Sequence, residues 1–264
     1  MNRNVLIVGG SDGIGFECAK LFDADNDRVY NLSRRVCELP HVKSVRADVT
    51  DAEQLENAFR ELRGAPGSLD LVLYFAGTSM AAPVETVKEE DVRLLFDVNY
   101  FGALRVVKLA LPIMNRGGKF LFAFSIASAF PILYDGYYSA SKAALEAFCA
   151  ELRLELAGSF TASCVRIGGT RTHFTFKRKV YPPEQCGRHA EPLATASGAL
   201  ARIEQKGMDP ADVAAHFFDL AGRKNPPRVS TCGAVNKLGM VAKKFLPDRV
   251  VMAMNNKIQT KSKE

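Results

Sequence analysis

Long apolar segments, paired cysteines and clustered metal ligands are all missing from this 264-residue sequence. No stretch approaches the ~18–20 consecutive apolar residues that a membrane-spanning helix needs. The six cysteines are dispersed and form no C-x-x-C pair, which predicts reduced packing residues instead of a disulfide or zinc framework. His173 and His189 have no acidic residue at metal-ligand spacing, so we expect no metal site. The apolar stretch in the first ten residues is too short for a signal peptide, and we expect a cytoplasmic protein.

The composition is that of a globular chain with a basic C-terminal part. Hydrophobic residues make up 47% of the sequence, which is enough for a sizeable core. The net charge is +6, and the residues from Arg223 onward contain ten Lys or Arg against two acids. A modest basic tail is weak evidence for nucleic acid, so we expect no nucleic-acid partner. We find no internal repeat or linker, and we predict one domain over residues 1–264.

Apolar segments that alternate with helical patterns define the fold class. Seven segments have strand character, at residues 4–8, 28–32, 42–47, 69–75, 120–124, 160–167 and 228–231. Between them we expect helices, including one capped by Thr50 or Asp51 and one that begins at Pro210. Two further helical stretches lie in residues 85–115, separated near residues 99–102. The pattern predicts an α/β fold, a Rossmann-like doubly wound parallel sheet of about seven strands with helices on both faces.

A glycine-rich turn joins the first strand to the first helix. Its sequence is Gly9-Gly10-Ser11-Asp12-Gly13-Ile14-Gly15. Glycines in such a turn let phosphate oxygens approach the backbone, and the helix N-terminus supplies amide donors and a positive dipole. An ordinary tight turn is the alternative. The strand before the turn and the helix after it favour a dinucleotide site.

The end of the second strand indicates which dinucleotide is bound. In doubly wound folds this point meets the adenosine ribose, where an acid selects NAD and a basic residue accommodates a 2′-phosphate. The sequence has Ser33, Arg34 and Arg35 there, with no acid until Glu38. We therefore favour NADP(H) over NAD(H). The alternative is that both arginines are solvated loop charges.

A serine, a tyrosine and a lysine around the fifth strand are candidates for catalysis. Tyr138 and Lys142 are four residues apart on a predicted helix and therefore share one face. A nearby buried cation favours the phenolate, so we expect Lys142 to lower the pKa of Tyr138. Taken alone, this pair also fits a partly buried tyrosine beside a solvated lysine. Ser125 ends the strand and can face Tyr138, whereas we assign Ser128 a structural role.

With these motifs in this order, the sequence resembles the short-chain dehydrogenase/reductase family over nearly its whole length. Ser125 precedes Tyr138 by thirteen positions, as in that family, and Asn99 is similar to its tetrad asparagine. The resemblance implies that Asn99, Ser125, Tyr138 and Lys142 are catalytic. The residues that we expect to bind cofactor are Gly9, Ser11, Asp12, Gly13, Ile14, Gly15, Ser33, Arg34, Arg35, Asp48, Val49, Ala76, Gly77, Asn99, Tyr138, Lys142, Gly169, Thr170 and Thr172.

The sequence departs from the family pattern at four positions. Val8 replaces a threonine, Tyr74 and Phe75 replace two asparagines, and Gly168 replaces a proline. These positions concern strand-end support and cofactor contacts, so they put cofactor affinity in question more than activity. Asp12 also stands where some NADP-dependent members carry a basic residue.

The implied function is interconversion of a carbonyl and an alcohol by hydride transfer with NADP(H). Tyr138 would serve as general acid or base, and Ser125 would hydrogen-bond the carbonyl oxygen. Lys142 would bind the nicotinamide ribose, and Asn99 would hold a water that links Lys142 to solvent. The alternative is a non-catalytic NADP-binding regulatory protein of the same fold. The presence of all four catalytic residues favours the enzyme.

Two segments bear on the substrate and partners. Residues 173–207 lose periodicity and contain several prolines and glycines, so we predict a long loop that acts as a substrate lid. Its Phe174 and Phe176, with the apolar residues after Ser125, favour a steroid, retinoid, acyl or polyketide type of substrate. Residues 235–258 form an amphipathic segment that packs on the site's rim or, less often in such cases, rests on a membrane surface. The family resemblance implies a homodimer or homotetramer.

Overall fold

A parallel seven-stranded sheet forms the centre of the computed structural model, which describes residues 2–64 and 68–260. The strand order is β3-β2-β1-β4-β6-β7-β9, and every neighbouring pair is parallel. A separate two-stranded sheet pairs β5 with β8. The strands are β1 Asn4–Val8, β2 Arg28–Ser33, β3 Lys43–Arg46, β4 Leu69–Tyr74, β5 Met80–Ala81, β6 Met114–Ser125, β7 Thr161–Ile167, β8 Lys179–Val180 and β9 Val229–Thr231.

Helices cover both faces of the sheet and form two apolar cores. On one face α2, α4 and α5 pack through residues such as Phe59, Val106 and Leu145. On the other face α1 and α7 pack through Phe22 and Phe217. The helices are α1 Gly13–Ala24, α2 Ala52–Arg63, α3 Glu89–Phe96, α4 Gly102–Ala110, α5 Gly136–Glu155, α6 Ala190–Gln205, α7 Pro210–Gly222, α8 Ala234–Lys243 and α9 Asp248–Thr260. The predicted doubly wound fold is confirmed.

The strand order reverses direction between β1 and β4, and this fixes where a ligand can bind. From β1 the chain continues outward to β2 and β3, whereas β4, β6 and β7 extend to the other side. The connections that follow β1 and β4 therefore run to opposite sides, and a crevice opens between them at the carboxyl ends of these two strands. The glycine turn follows β1, Ala76 and Gly77 follow β4, and Ser125 ends β6. The candidate residues therefore meet at one edge of the sheet.

The prediction of an irregular loop over residues 173–207 is wrong in its second half. Residues Ala190–Gln205 form helix α6, which buries Leu193, Ala196 and Ala199. Pro192 is the third residue of this helix, where a backbone N–H has no helical acceptor, so the proline costs no hydrogen bond. The proline and Gly198 obscured the helical pattern in the sequence. The first half does lack long elements and contains only β8 and short helical turns.

Two smaller boundaries also differ from the prediction. Strand β6 begins at Met114, so Gly117 and Gly118 lie inside it, where the pairing register with β4 shifts between Leu69 and Leu71. The helical segment before it ends at Ala110, earlier than expected. Of the two expected caps, Thr50 and Asp51, the structure has Asp51 as the N-cap of α2, where it accepts a hydrogen bond from the Gln54 N–H.

The C-terminal segment forms two helices, α8 and α9, with Pro247 between them. Their contacts reach the loop after β6: Lys243 donates to the Ala129 carbonyl oxygen, and Asn255 donates to the Pro131 carbonyl oxygen at 3.3 Å. Helix α9 also lies against α6. The C-terminal segment therefore lies on the rim of the candidate site, as expected. Among the described residues, no helix combines the length and the apolar character that crossing a bilayer demands.

Candidate active site

The glycine turn after β1 has the backbone geometry of a phosphate cradle. Gly9 has a φ of +91°, and a Cβ there would lie 2.8 Å from the Ala76 nitrogen. Gly13 has a φ of +57°, and a Cβ at Gly15 would lie 2.3 Å from the Gly9 oxygen. Only glycine fits such positions, since the first two are left-handed and the third brings helix against turn. Ser11 and Ile14 are half-buried between them. The turn therefore fits a dinucleotide pyrophosphate.

Asp12 connects this turn to the lid and to the end of β2. Its side chain caps α1 by accepting from the Gly13 N–H at 2.8 Å. The same carboxylate contacts the Arg35 guanidinium at 3.0 Å, His173 Nδ1 at 3.2 Å and the Lys177 ammonium. Burial alone would raise the pKa of Asp12, but the hydrogen bonds from these three groups outweigh it and hold the pKa well below its usual range. His173 thus has an acidic partner that its sequence neighbourhood does not reveal.

A cavity of about 420 Å³ lies between the glycine turn and the segment after β7. Asp12 and Gly13 border it on one side, and Arg171, Thr172 and His173 border it on the other. Thr172 also faces Gly13 directly, because a Cβ on Gly13 would lie 3.4 Å from its methyl group. The cavity therefore brings together cofactor residues that are about 160 positions apart in the chain.

The end of β2 presents the two arginines predicted to select the cofactor. Arg34 has a side chain that is 79% exposed and lies 3.7 Å from an Asp48 carboxylate oxygen. The Arg35 side chain is 61% exposed and pairs with Asp12. Ser33 donates to the Arg35 carbonyl oxygen at 2.6 Å and so shapes the turn. Both guanidiniums are accessible from solvent beside the glycine turn.

The residues expected around the adenine and the nicotinamide lie near the same edge. Asp48 is fixed by hydrogen bonds from the Thr50 N–H at 3.0 Å and its hydroxyl at 2.8 Å, while Val49 is buried. Ala76 donates to the Val8 carbonyl oxygen at 3.0 Å, which holds the turn after β4 against β1. Gly169 accepts from the Met208 N–H at 2.9 Å. Thr170, also buried, donates its hydroxyl to the Gly168 carbonyl oxygen at 3.1 Å.

Asn99 lies in a π-helical turn, Asp97–Phe101, inserted between α3 and α4. It is fully buried and holds Thr78 from both sides, accepting from the Thr78 N–H at 2.8 Å and donating to its carbonyl oxygen at 2.9 Å. It also donates to the Ser141 hydroxyl at 2.9 Å. A Cβ on Gly77 would lie 3.3 Å from Asn99 Oδ1 and 3.5 Å from Lys142 Nζ, so these three residues meet. π-Helical insertions are frequent at functional sites.

Two of the departures from the family pattern have structural explanations here. The Tyr74 hydroxyl donates to the Val98 carbonyl oxygen at 2.7 Å and thereby anchors the turn that carries Asn99. Gly168 leaves room for Asn236 of α8, because a Cβ at Gly168 would lie 2.5 Å from the Asn236 amide. The two substitutions therefore support the site and the C-terminal helices.

Ser125, Tyr138 and Lys142 meet at the end of β6 and the start of α5. The Ser125 hydroxyl lies close enough to Tyr138 to lower the pKa of its phenol. Lys142 is buried, with its ammonium 5.8 Å from the centre of the Tyr138 ring and 3.3 Å from the Ala123 carbonyl oxygen. Ser128 instead bonds the Ser125 carbonyl oxygen at 2.9 Å and Glu146 at 3.0 Å. The geometry thus brings together Ser125, Tyr138 and Lys142 and sets Ser128 apart from them.

The expectation that Lys142 lowers the pKa of Tyr138 is wrong for this arrangement. Burial and the nearby Asp135 charge raise the pKa of Tyr138 well above its usual range, against a lowering by the Ser125 hydrogen bond. Burial also lowers the pKa of Lys142 to about 8. The lysine ammonium lies 5.8 Å from the ring centre and donates to the Ala123 carbonyl oxygen, and no hydrogen bond joins it to the phenol oxygen in the described part of the chain. The phenol is therefore protonated at neutral pH.

A buried charge cluster beneath the lid was missed in the sequence. Asp135 lies one turn before Tyr138 and is 2% exposed, and its Oδ1 has no hydrogen-bond partner within residues 2–64 and 68–260. Burial raises the pKa of Asp135 to about 7, opposed by Arg178 and reinforced by Glu204. Arg178 and Glu204, both from the predicted lid, form an ion pair at 2.5 Å. The i, i+3 spacing of Asp135 and Tyr138 was the available signal.

Comparison with known proteins agrees with this geometry. The family model described as short chain dehydrogenase matches residues 3–180. A 3-ketodihydrosphingosine reductase from Bacteroides thetaiotaomicron is 30% identical over 255 residues, which cover 94% of each chain. The chain belongs to the short-chain dehydrogenase family.

Further short-chain dehydrogenases resemble this one along most of its length. An NADPH-dependent 1-acyldihydroxyacetone phosphate reductase from Schizosaccharomyces pombe is 27% identical over 258 residues, covering 83% of this chain and 87% of its own. A crystal structure of a short-chain dehydrogenase from Streptomyces avermitilis superposes with a TM-score of 0.82 at 25% identity, covering 98% of both chains. As a member of this family the protein is an oxidoreductase that acts on small molecules with a nicotinamide cofactor.

Proposed function

We propose that this short-chain dehydrogenase interconverts a carbonyl and an alcohol with NADP(H), on an apolar substrate. The observation that carries the proposal is the convergence of Ser125 and Tyr138 where β6 ends and α5 begins, beside the buried Lys142 and Asn99. Two neighbouring hydroxyls can bind a single carbonyl oxygen. A bound nicotinamide supplies the hydride for this reaction.

Tyr138, Ser125 and Lys142 have different roles in proton transfer to the carbonyl oxygen. The Tyr138 phenol is protonated at neutral pH, which is the state required of a proton donor to a carbonyl oxygen. Ser125 donates a hydrogen bond from its hydroxyl to the same carbonyl oxygen and thereby fixes the position of that oxygen. Burial lowers the pKa of Lys142 to about 8, so its ammonium can lose and regain a proton close to neutral pH. Asn99 holds the Thr78 backbone in place beside Lys142.

The preference for NADP(H) rests on the charge at the end of β2. Arg34 and Arg35 are exposed beside the glycine turn and can both reach an anionic group. A guanidinium binds phosphate through two parallel hydrogen bonds, which suits a 2′-phosphate. The NADPH dependence of the yeast relative supports the same assignment.

The substrate is an apolar ketone, for which we propose a long-chain lipid. Aromatic residues surround the catalytic tyrosine: the Phe174 ring lies 6.1 Å from the Tyr138 ring, and Tyr134 and Tyr137 pack beneath α6. The names of two relatives specify lipid ketones, 3-ketodihydrosphingosine and 1-acyldihydroxyacetone phosphate. The segment 173–205 would have to move to admit such a chain, in the role of a lid.

A panel of ketones assayed by NADPH oxidation tests the proposal. We expect turnover with long-chain ketones, with kcat/KM rising with chain length, and little turnover with short polar ketones. NADH should support a lower rate at equal concentration. Binding of NADPH without turnover on any ketone, or on any alcohol in reverse, would favour the alternative of a non-catalytic regulatory protein.

A further inference from the structure

The last two helices carry apolar side chains that face away from the protein. Val235, Leu238 and Val241 follow each other at three-residue intervals on α8, and Phe245 continues the row past its end. Their exposed fractions are 84%, 70%, 52% and 81%. We call these four residues the C-terminal stripe. Met252 and Met254 on α9 are also more than half exposed. Single exposed apolar residues are common, but a row of large ones marks an interaction surface.

The side of α8 that touches the protein carries few large apolar groups. Asn236 donates to the Cys232 carbonyl oxygen at 2.8 Å, and a Cβ on Gly239 would lie 3.9 Å from the Phe130 ring. Lys243 donates to the Ala129 carbonyl oxygen. An amphipathic helix that packs on its own domain buries its apolar side. Helix α8 lies on the rim as predicted, but it presents these apolar side chains outward instead of packing them against the domain.

The charged residues of the segment 234–260 are almost all positive. Lys237, Lys244, Arg249 and Lys257 are exposed, and none of them forms an ion pair with a carboxylate in the described part of the chain. Asp248 is the one acid in residues 234–260. A second copy of this surface would bring like charges together, which disfavours self-association. An anionic bilayer matches both the apolar and the basic character of this surface, because its acyl region accommodates large apolar side chains and its anionic headgroups attract lysines.

We propose that the C-terminal stripe and its flanking basic residues bind the protein to the surface of an anionic lipid bilayer. The same helices contact residues 129–131, which follow the strand that ends in Ser125. Docking through the stripe therefore places the rim of the active site close to the bilayer. Vesicle binding requires neither cofactor nor turnover, so this proposal stands or fails independently of the proposed reaction.

Sedimentation with lipid vesicles tests the proposal on the full-length protein. The vesicles contain phosphatidylcholine alone or about equal parts of phosphatidylcholine and phosphatidylglycerol. We expect binding to the anionic vesicles, and its loss on raising the salt concentration from ~0.05 to ~0.5 M. The double variant Leu238→Ser/Phe245→Ser should bind about tenfold or more weakly. Leu154→Ser is the matched control, because Leu154 is 79% exposed on α5, and it should bind as the wild type does.

Two results would overturn the proposal. One is equal sedimentation of the wild type and the double variant with the anionic vesicles. The other is no sedimentation of the wild type with either type of vesicle. If the double variant then also shows a lower molecular mass than the wild type by light scattering, the stripe is assigned to contact between copies of the chain. Far-ultraviolet circular dichroism of the variants establishes that α8 is still folded.

Discussion

Arg35 and Asp12 are paired at 3.0 Å, so the guanidinium that we propose receives a 2′-phosphate already contacts a carboxylate of the glycine turn. A bound phosphate must compete with this carboxylate for Arg35, and it also meets the repulsion of the Asp12 charge itself. We expect Asp12→Asn to raise the affinity for NADPH several-fold and to leave that for NADH within about twofold. Asparagine retains the cap on α1.

Fluorescence titration with both dinucleotides measures this change in preference. Asp51→Asn provides the control, since Asp51 is also a helix N-cap, accepting from the Gln54 N–H, but has no arginine partner among the described residues. An unchanged ratio of the two affinities in Asp12→Asn would show that the 2′-phosphate does not meet Arg35.

Replacing the arginines at the end of β2 should act in the opposite direction. Arg34→Ala removes a guanidinium that is 79% exposed and, among the described residues, pairs only with Asp48 at 3.7 Å, so the fold should be unaffected. We expect the dissociation constant for NADPH to rise about tenfold, the usual scale for one charged hydrogen-bonding group. The constant for NADH should change little. An equal loss of affinity for both dinucleotides would contradict the claim that Arg34 recognises the 2′-phosphate.

Tyr138→Phe removes the proposed proton donor without changing the shape of the site. We expect kcat to fall by about 10²–10⁴, which is the contribution of a positioned general acid. NADPH binding should remain within a factor of about two. The neighbouring Tyr137→Phe is the matched control, because Tyr137 packs beneath the lid on the same helix turn. Retained turnover in Tyr138→Phe would remove the tyrosine from the mechanism.

The Tyr74 hydroxyl should be important for both stability and activity. Tyr74→Phe leaves the part-buried Val98 carbonyl oxygen without its 2.7 Å donor, which costs about 1–3 kcal/mol of unfolding free energy. The π-helical turn that carries Asn99 then loses its anchor, so kcat should also fall. Urea unfolding and initial rates measure the two effects. Tyr30→Phe, at an equally buried tyrosine with no hydroxyl bond in the described residues, should change neither.

Asp135 should make the stability of the protein depend on pH. Its pKa rises from 3.8 to about 7 in the folded state because burial disfavours the charge. The folded protein therefore binds more protons than the unfolded chain between these values, and its stability falls as the pH rises from 4 to 7. The shift corresponds to up to about 4 kcal/mol.

Asp135→Asn removes this titration. We expect the variant to unfold at a higher urea concentration than the wild type at pH 8 but to differ little from it at pH 4. Arg178, Glu204 and Tyr138 face Asp135 and are unchanged in the comparison. Exposed Asp219 on α7 supplies the control Asp219→Asn, whose pH profile should follow the wild type. An equal gain at both pH values would contradict a raised pKa.

The sequence was sufficient for the sheet and for the residues that end its strands. Strand periodicity and glycine turns are local signals, which is why β1, β4, β6 and β7 were located and why Ser125 and Tyr138 were expected to meet. Helix α6 was missed because Pro192 and Gly198 interrupt its pattern. The pairing of Asp12 with His173 and Lys177 joins residues about 160 positions apart, which no local pattern contains.

The electrostatics of the site depended on burial that the sequence does not show. Spacing placed Lys142 beside Tyr138, but only the structure reveals that the ammonium lies over the ring and that Asp135 is buried near the phenol. In the same way, the spacing of apolar residues in α8 was evident from the sequence, but which side of the helix faces the protein was not. A single domain over residues 1–264, and a homodimer or homotetramer, remain predictions.

Transfer of deuterium from cofactor to substrate tests the central claim most directly. The protein is mixed with NADPH that carries deuterium at both C4 positions and with a long-chain ketone, and the alcohol is analysed by mass spectrometry. We predict one deuterium on the carbinol carbon with the wild type and almost none with Tyr138→Phe. Tight NADPH binding without labelled alcohol, from any ketone in the panel, would contradict the assignment of this protein as a carbonyl reductase.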